Sequence, residues 1–211
     1  MAKAKVSAAS DWREGFLFVG NHLALDLLNT CPVQDGKQRE LLPDFDALLR
    51  WFRAAGQIRS RQADALKQRW DGTARARSLT SAIHDFREHL RKAVLAWEEA
   101  GELHRALIDE LNAVLASHPM LTRLKRDASH TTTELWFDPR QPEDLFAPLA
   151  HAAALLFAAG DAHRVRKCGH CVLHFYDTSK KGTRRWCSMQ LCGNRLKVAA
   201  YAARQRTRTR G

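Results

Sequence analysis

Residues 168–195 read CGHCVLHFYDTSKKGTRRWCSMQLCGNR, and this stretch decides the fold of the C-terminal part of the chain. It holds four of the five cysteines, as a Cys168-x2-Cys171 pair, fifteen intervening residues and a Cys187-x4-Cys192 pair. Zinc prefers four sulfur or nitrogen ligands in a tetrahedron, and a C-x2-C turn presents two thiolates to one ion. The spacing therefore predicts one structural Zn²⁺ per chain, bound by Cys168, Cys171, Cys187 and Cys192.

Two short strands and the start of a helix are expected around these cysteines. Residues 164–167 and 172–176 resemble strands that form a zinc knuckle, with Gly169 in the turn, where a positive φ costs little. Ser188 can cap a helix that runs to about Arg204. Two ligands from a hairpin turn and two from a helix start are typical of a treble-clef-like zinc finger with four cysteine ligands.

Other interpretations of the cluster are unligated buried cysteines or a redox pair. His170 and His174 are possible substitute ligands, but four sulfurs already fill the shell, so we expect both histidines at the surface. A filled shell leaves no position for an activated water, which argues against hydrolytic zinc chemistry. The sequence contains no phosphate-binding glycine loop, hydrolase elbow or H-E-x-x-H helix, and we expect that the protein is not an enzyme.

The positive charge of the chain is concentrated in its last quarter. Residues 161–211 contain 13 Lys and Arg against two Asp and Glu, whereas the first 160 residues contain 21 of each sign. Such asymmetry indicates a polyanion-binding end attached to a neutral body, and the alternative is a solubilising basic tail. Arginine can pair with phosphate or with a guanine edge. The candidate nucleic-acid contacts are Arg184, Arg185, Arg195, Lys197 and Arg204, followed by an arm with Arg206, Arg208 and Arg210.

Two residues near these arginines have open roles. Asn194 can read adenine, or it can cap or fix the cysteine cluster. Trp186 can pack over the zinc cluster or offer a stacking face to a base. Packing is favoured, because small zinc modules need every large apolar group for a core.

The first 160 residues are expected to be mainly α-helical. Apolar residues at three- and four-residue spacings, together with turn residues, predict helices over 43–55, from Ser60 to about Trp70, over 78–100, 102–117 and 142–159, and a β-hairpin from 121–125 and 131–137. Gly101 is expected to form the turn of a helical hairpin. The fold class is therefore mainly α, with a short β-hairpin and a small zinc finger. The expected domains are residues 1–160 (helical), 161–204 (finger) and 205–211 (a disordered basic tail).

Four polar residues interrupt an apolar stretch near the N-terminus: Asn21, His22, Asp26 and Asn29. On a helix the last three share a face. They can form a ligand pocket edge or a proton-handling His22–Asp26 pair. They can equally form a buried polar network that fixes the first helix to its neighbours, and this is favoured because no nucleophile or second acid accompanies the pair.

The two ends of the chain resemble known families. Residues 184–189 (RRWCSM) and 192–195 (CGNR), with the upstream Phe175-x-Asp177-x-Ser179-Lys180 pattern, resemble the CGNR zinc finger. Residues 20–30 (GNHLALDLLNT) resemble the opening of the ABATE domain that commonly precedes this finger. The resemblance implies a bacterial, mostly helical ABATE domain joined to a zinc finger, in a family regarded as transcription regulators.

The leading hypothesis is a zinc-dependent regulator whose finger binds duplex DNA and whose helical domain senses a small-molecule effector or forms a homodimer. RNA binding is a second hypothesis, since zinc knuckles and arginine-rich arms also serve RNA. A third is a protein-interaction adaptor with a purely structural finger. Residues 1–10 lack the apolar stretch of a secretory signal, and the chain has no run of about 18 apolar residues, so we expect a cytoplasmic protein without membrane contact.

Overall fold

A computed structural model describes residues 11–34, 36–126 and 130–193. In chain order its elements are β1 (Trp12–Arg13), β2 (Phe16–Leu17), α1 (Leu23–Leu28), β3 (Val33–Gln34), β4 (Lys37–Gln38), α2 (Phe45–Ala54), α3 (Ser60–Trp70), α4 (Ala74–Ala100), α5 (Arg105–Ser117), β5 (Leu121–Arg126), β6 (Thr131–Trp136), a 3-10 turn (Pro142–Leu145), α6 (Phe146–Ala159), a 3-10 turn (Ala162–Arg164), β7 (Val165–Lys167), β8 (His174–Tyr176) and a π-helical turn (Met189–Gly193). The fold is mainly α, as the sequence predicts.

The predicted helices are present with shifted ends. The longest, α4, begins before Ser78, because the Thr73 side chain caps it by accepting a hydrogen bond from the backbone N of Ala76. Gly101 ends α4 at φ 72°, in the left-handed region that favours glycine. Ser60 is the first residue of α3 rather than its cap, so that part of the prediction is wrong.

The short helix α1 lies at the centre of the core. Its Leu25, Leu27 and Leu28 are at most 1% exposed, and the helix packs against α4, α6 and β8. The apolar residues of α2, α4 and α6 complete the same cluster, including Trp51 and Phe52, which have no exposed surface. Burial of aromatic and aliphatic side chains on this scale stabilises the helical region.

Four antiparallel strand pairs accompany the helices in the described ranges: β1–β2, β3–β4, β5–β6 and β7–β8. The predicted hairpin is β5–β6, where Leu121 pairs with Trp136 and Arg123 pairs with Glu134. The pairs β1–β2 and β3–β4 were not predicted, because two-residue strands leave almost no alternation in the sequence.

The N-terminal residues of the described chain pack into the C-terminal module. Leu17 and Val19 share a buried cluster with Cys168, Cys187 and Phe175. The backbone N of Tyr176 also donates to the carbonyl of Gly20 over 2.8 Å. Apolar and polar contacts therefore connect residues before position 160 with residues after it. The domain limits at residues 160 and 204 stay a prediction. None of the described helices combines the length and the apolar character needed to cross a membrane.

Candidate zinc site and basic surface

The knuckle forms where β7 and β8 pair, with Val165 opposite Tyr176 and Lys167 opposite His174. Beyond the last pair, the backbone N of Cys168 donates to the carbonyl of Leu173 over 2.9 Å, which closes the turn that contains the first two cysteines. This is the predicted strand–turn–strand, and it brings Cys168 and Cys171 to one end of the ribbon.

The second cysteine pair lies at the π-helical turn Met189–Gly193. The hydroxyl of Ser188 accepts from the backbone N of Gln190 over 3.0 Å, and the carbonyl of Ser188 accepts from the backbone N of Cys192 over 3.1 Å. Ser188 therefore caps this turn, as predicted, and it also donates to the Asp11 carboxylate from the N-terminal segment. The predicted continuation to Arg204 lies outside the described residues.

The four sulfur atoms form a cluster with the dimensions of a zinc site. Cys171 Sγ lies 3.7 Å from Cys187 Sγ and 3.6 Å from Cys192 Sγ, and the Cys187–Cys192 distance is 3.7 Å. All four sulfurs, with that of Cys168, lie within 4.8 Å of one another. A tetrahedron with Zn–S distances of about 2.3 Å has edges of about 3.8 Å. The donor set and its spacing therefore fit one Zn²⁺ with four thiolate ligands.

The thiols themselves show why a divalent cation suits the cluster. The thiol of Cys187 donates toward Cys171 and lowers the pKa of Cys171 to about 5. Burial and the bond to Cys171 raise the pKa of Cys192 to about 12, and the pKa of Cys187 is raised as well. Without a cation, the thiolate of Cys171 thus keeps the neighbouring thiols of Cys187 and Cys192 protonated. A metal ion supplies the positive charge that lets all four ionise.

The first helix is fixed to the finger by the polar residues that the sequence singled out. Asn29 is 1% exposed; its amide donates to the carbonyl of His174 over 2.8 Å and accepts from the His174 backbone N over 2.9 Å. Asn21 donates to the carbonyl of Tyr176 over 2.9 Å. The buried-network interpretation is therefore correct for Asn29, which links the end of α1 to β8, whereas Asn21 makes its link to β8 at the surface.

The two remaining residues of that stretch act within the N-terminal region. His22 caps α1 by accepting from the backbone N of Ala24, and burial lowers the pKa of His22. One carboxylate oxygen of Asp26 accepts from the backbone N of Gly20 over 2.7 Å. A Cβ atom on Gly20 would lie 2.7 Å from the backbone N of Asp26, so glycine is required there. His22 and Asp26 thus bind backbone groups of this stretch.

The prediction that His174 lies at the surface is wrong. His174 is 2% exposed, and neither ring nitrogen has a hydrogen-bond partner among the described residues. Burial, together with the positive charges of Arg91 and Lys167, lowers the pKa of His174 to about 4. Along β8, His174 alternates with Phe175, which packs in the cysteine cluster, so the His174 side chain lies on the opposite face of the ribbon. His170 is exposed, as predicted.

Arg184 and Arg185 have different surroundings. The guanidinium of Arg184 donates to the carbonyl of Cys187 over 2.8 Å and lies 5.0 Å from the Phe175 ring centre. Arg185 is exposed, and its guanidinium carbon lies 5.3 Å from the ring centre of Trp186. Trp186 packs against the zinc cluster beside Gly169, as the packing interpretation predicts. Arg184 thus braces the finger, whereas Arg185 lies at its surface.

The other predicted contacts follow Gly193 in the chain. Arg195, Lys197, Arg204 and the arm with Arg206, Arg208 and Arg210 lie outside the described residues, as does Asn194. Sequence reasoning also passed over a group of basic residues that the structure does describe: Arg164, Arg166, Lys180 and Lys181. The Phe-x-Asp-x-Ser-Lys pattern was the signal that could have led to them, because its Asp177 organises the loop in which the two lysines lie.

A helical region joined to a four-cysteine site on a knuckle and a helical turn defines a zinc finger protein. Family models match both parts: the CGNR zinc finger over residues 164–205, and ABATE, described as "Putative stress-induced transcription regulator", over residues 21–160. Since the second match covers more than half of the chain, the chain belongs to the ABATE family and carries a CGNR zinc finger after that domain. No curated protein matches the sequence.

Proposed function

We propose that this protein is a transcription regulator that binds duplex DNA through its zinc finger. The helical region senses a signal or forms a homodimer. In this proposal the zinc ion has a structural role and the protein is not an enzyme, because four thiolates complete a tetrahedral shell and leave no position for a reacting water. In this proposal the regulator acts in the cytoplasm, together with the DNA that it binds.

The observation that carries the proposal is the location of charge on the finger. The chain after residue 160 has a formal balance of +11. Four thiolates and one Zn²⁺ together contribute two negative charges, which leaves about +9. Within the described part, Lys167 and Arg185 are exposed on the zinc module itself. Positive charge at and after the zinc module attracts the phosphate backbone of DNA.

Arg185 is suited to a DNA contact because its backbone is fixed. The carbonyl of Arg185 accepts from the backbone N of Gly169 over 3.0 Å, so the residue is attached to the zinc-binding turn. Its planar guanidinium can pair with phosphate oxygens or with a guanine edge. Arg195, Lys197 and Arg204 are further proposed DNA contacts. Arg184 is also a proposed contact, and in this proposal its guanidinium keeps its hydrogen bond to the Cys187 carbonyl while it binds DNA.

The sensing or dimerisation role rests on the exposure of α5 and on the apolar grooves beside it. No residue of this helix is buried, and apolar grooves of about 310 and 340 Å³ lie along it. Leu107, Leu111 and Phe157 line both grooves. Cavities of this size hold small apolar ligands or the side chains of a partner. Sedimentation and binding of an apolar dye test this part; a strict monomer that binds no dye would contradict it.

The decisive experiment for the main proposal is selection of bound sequences from random duplex DNA and random RNA with zinc-loaded full-length protein. Enrichment of one duplex motif supports the proposal, and enrichment only in the RNA pool overturns it. Binding to the motif is then compared for wild type, Arg185→Ala/Arg195→Ala and Arg61→Ala/Lys92→Ala. The last variant removes two exposed basic residues from the helical region and serves as the charge-matched control. Equal losses in both variants would contradict a role for the finger.

A further inference from the structure

A tight turn next to the zinc site presents two adjacent lysines. The backbone N of Gly182 donates to the carbonyl of Ser179 over 3.2 Å, which closes a four-residue turn with Lys180 and Lys181 at its central positions. Both lysines are exposed. Among the described residues, neither ammonium group forms an ion pair or a hydrogen bond. Two cations thus occupy adjacent positions with all their donors available to a ligand.

Two arginines of the knuckle, Arg164 and Arg166, donate hydrogen bonds to the backbone of this turn. Arg164 Nη1 donates to the carbonyls of Asp177 and Ser179, each over 2.9 Å. Arg166 Nη2 donates to the carbonyl of Gly182 over 2.9 Å. Gly182 has a φ of 61°, a conformation that strains any residue with a Cβ atom. The turn therefore has little freedom to change shape.

A buried carboxylate closes the base of the same loop. Asp177 has no exposed surface, and its two oxygens accept from the backbone N of Ser179 over 2.9 Å and of Arg184 over 2.8 Å. The backbone N of Asp177 donates to the carbonyl of Arg164 over 2.7 Å. Burial alone would raise the pKa of Asp177, but the bonds from Ser179 and Arg184 outweigh it and keep this pKa below its usual value. The carboxylate stays charged and the loop stays closed.

Two basic side chains of the finger thus serve to rigidify a loop whose own exposed cations have no internal partner. A site that is ordered before binding loses less entropy on association. Lysine ammonium groups act as point charges toward phosphate, and phosphate contacts fix the position of a protein on DNA without reading its sequence. We propose that Lys180 and Lys181 form a preformed contact site for the DNA phosphate backbone, with Arg164 and Arg166 as positioning residues. This inference rests on the proposed function.

The test compares affinity for a fluorescent duplex across a salt series, using zinc-loaded full-length protein. Lys180→Ala/Lys181→Ala removes two phosphate contacts, so the slope of log affinity against log salt should become shallower by about 1.8. Near 0.15 M salt, the loss of these two contacts should lower the affinity of the variant roughly 30-fold relative to wild type. Lys180→Arg/Lys181→Arg should retain the slope. The control Arg61→Ala/Lys92→Ala changes the net charge equally and should change affinity less than about threefold, since its effect is only long-range.

Arg166→Lys tests the positioning role, because it keeps the charge but not the geometry of the bond to Gly182. It should weaken DNA binding in the wild-type background and have no further effect in Lys180→Ala/Lys181→Ala. A general loss of fold would instead weaken binding in both backgrounds.

If the wild type binds duplex DNA and Lys180→Ala/Lys181→Ala matches the control, this inference is overturned while the proposed function stands. If the wild type shows no salt-dependent binding to duplex DNA, both are overturned.

Discussion

Replacing Asp26 by Asn should make the stability of this protein less dependent on pH. Asp26 is 8% exposed, and burial raises the pKa of its carboxyl from 3.8 to about 7, against the smaller opposing effects of the Gly20 backbone N and the Arg13 charge. Between pH 3.8 and pH 7, the Asp26 carboxyl is mostly protonated in the folded state and mostly ionised in the unfolded state. The contribution of Asp26 to stability is therefore fully present below pH 3.8 and is lost as the pH rises toward 7.

The magnitude follows from the size of the shift. At about 1.36 kcal/mol per pKa unit, the raised pKa of Asp26 costs the folded state about 1.5 kcal/mol at pH 5, where the carboxyl is kept protonated, and about 4 kcal/mol at pH 8, where it is ionised. Asn cannot ionise, and its amide oxygen can still accept from Gly20. The difference in unfolding free energy between Asp26→Asn and wild type should thus shift in favour of the variant by about 2.5 kcal/mol from pH 5 to pH 8.

Urea denaturation with excess zinc at several pH values measures this difference. The exposed Asp85 offers a matched control, because Asp85→Asn makes the same chemical change without burial. A difference for Asp26→Asn that stays constant from pH 5 to pH 8 would refute the reasoning.

Three further predictions concern the links between α1 and the finger. Asn29→Ala leaves both the N and the O of the His174 backbone buried without a partner, so urea denaturation should show a loss of about 2–5 kcal/mol; a loss below about 1 kcal/mol would contradict this. Gly20→Ala places a Cβ atom 2.7 Å from the backbone N of Asp26 and should lower the melting temperature, whereas an unchanged value would show that the contact relaxes freely. Cys187→Ser should reduce zinc from one ion per chain to well below one by elemental analysis and should speed amide exchange at residues 16–20 as well as in the finger. Unchanged exchange at residues 16–20 would mean that this segment does not depend on the metal.

The sequence was sufficient to predict the helices and the cysteine cluster, because each is a local pattern. Apolar spacing indicated α2, α4 and α5, and the spacing of four cysteines indicated the ligand set. The ends of the helices were less predictable. The start of α4 depends on whether the Thr73 side chain accepts a hydrogen bond from Ala76, and the presence of a threonine in the sequence does not reveal this.

The sequence did not reveal which polar residues serve a distant part of the chain. Asn29 could be recognised as unusual, but nothing near it indicates that its partner is the backbone of His174. The burial of His174 was missed for the same reason. The local pattern shows β8 only as a flank of the metal site and does not reveal that α1 packs against this strand. Nor does the excess of arginine in the finger distinguish Arg184, which braces it, from Arg185, which is exposed.

The link between the two ends of the chain has a consequence during synthesis on the ribosome. Asn29 and His174 are 145 positions apart, and Asp11 and Ser188 are 177 positions apart. At about 5–20 residues per second, Asn29 waits roughly 7–30 s for His174 to be made. Throughout that interval the nascent chain carries Leu17 and Val19 without the cysteine module that covers them. Packing of residues 16–20 is therefore expected to wait until the cysteine module has been made and has bound zinc, so a cell short of zinc would accumulate chains in which this segment remains open to chaperones and proteases.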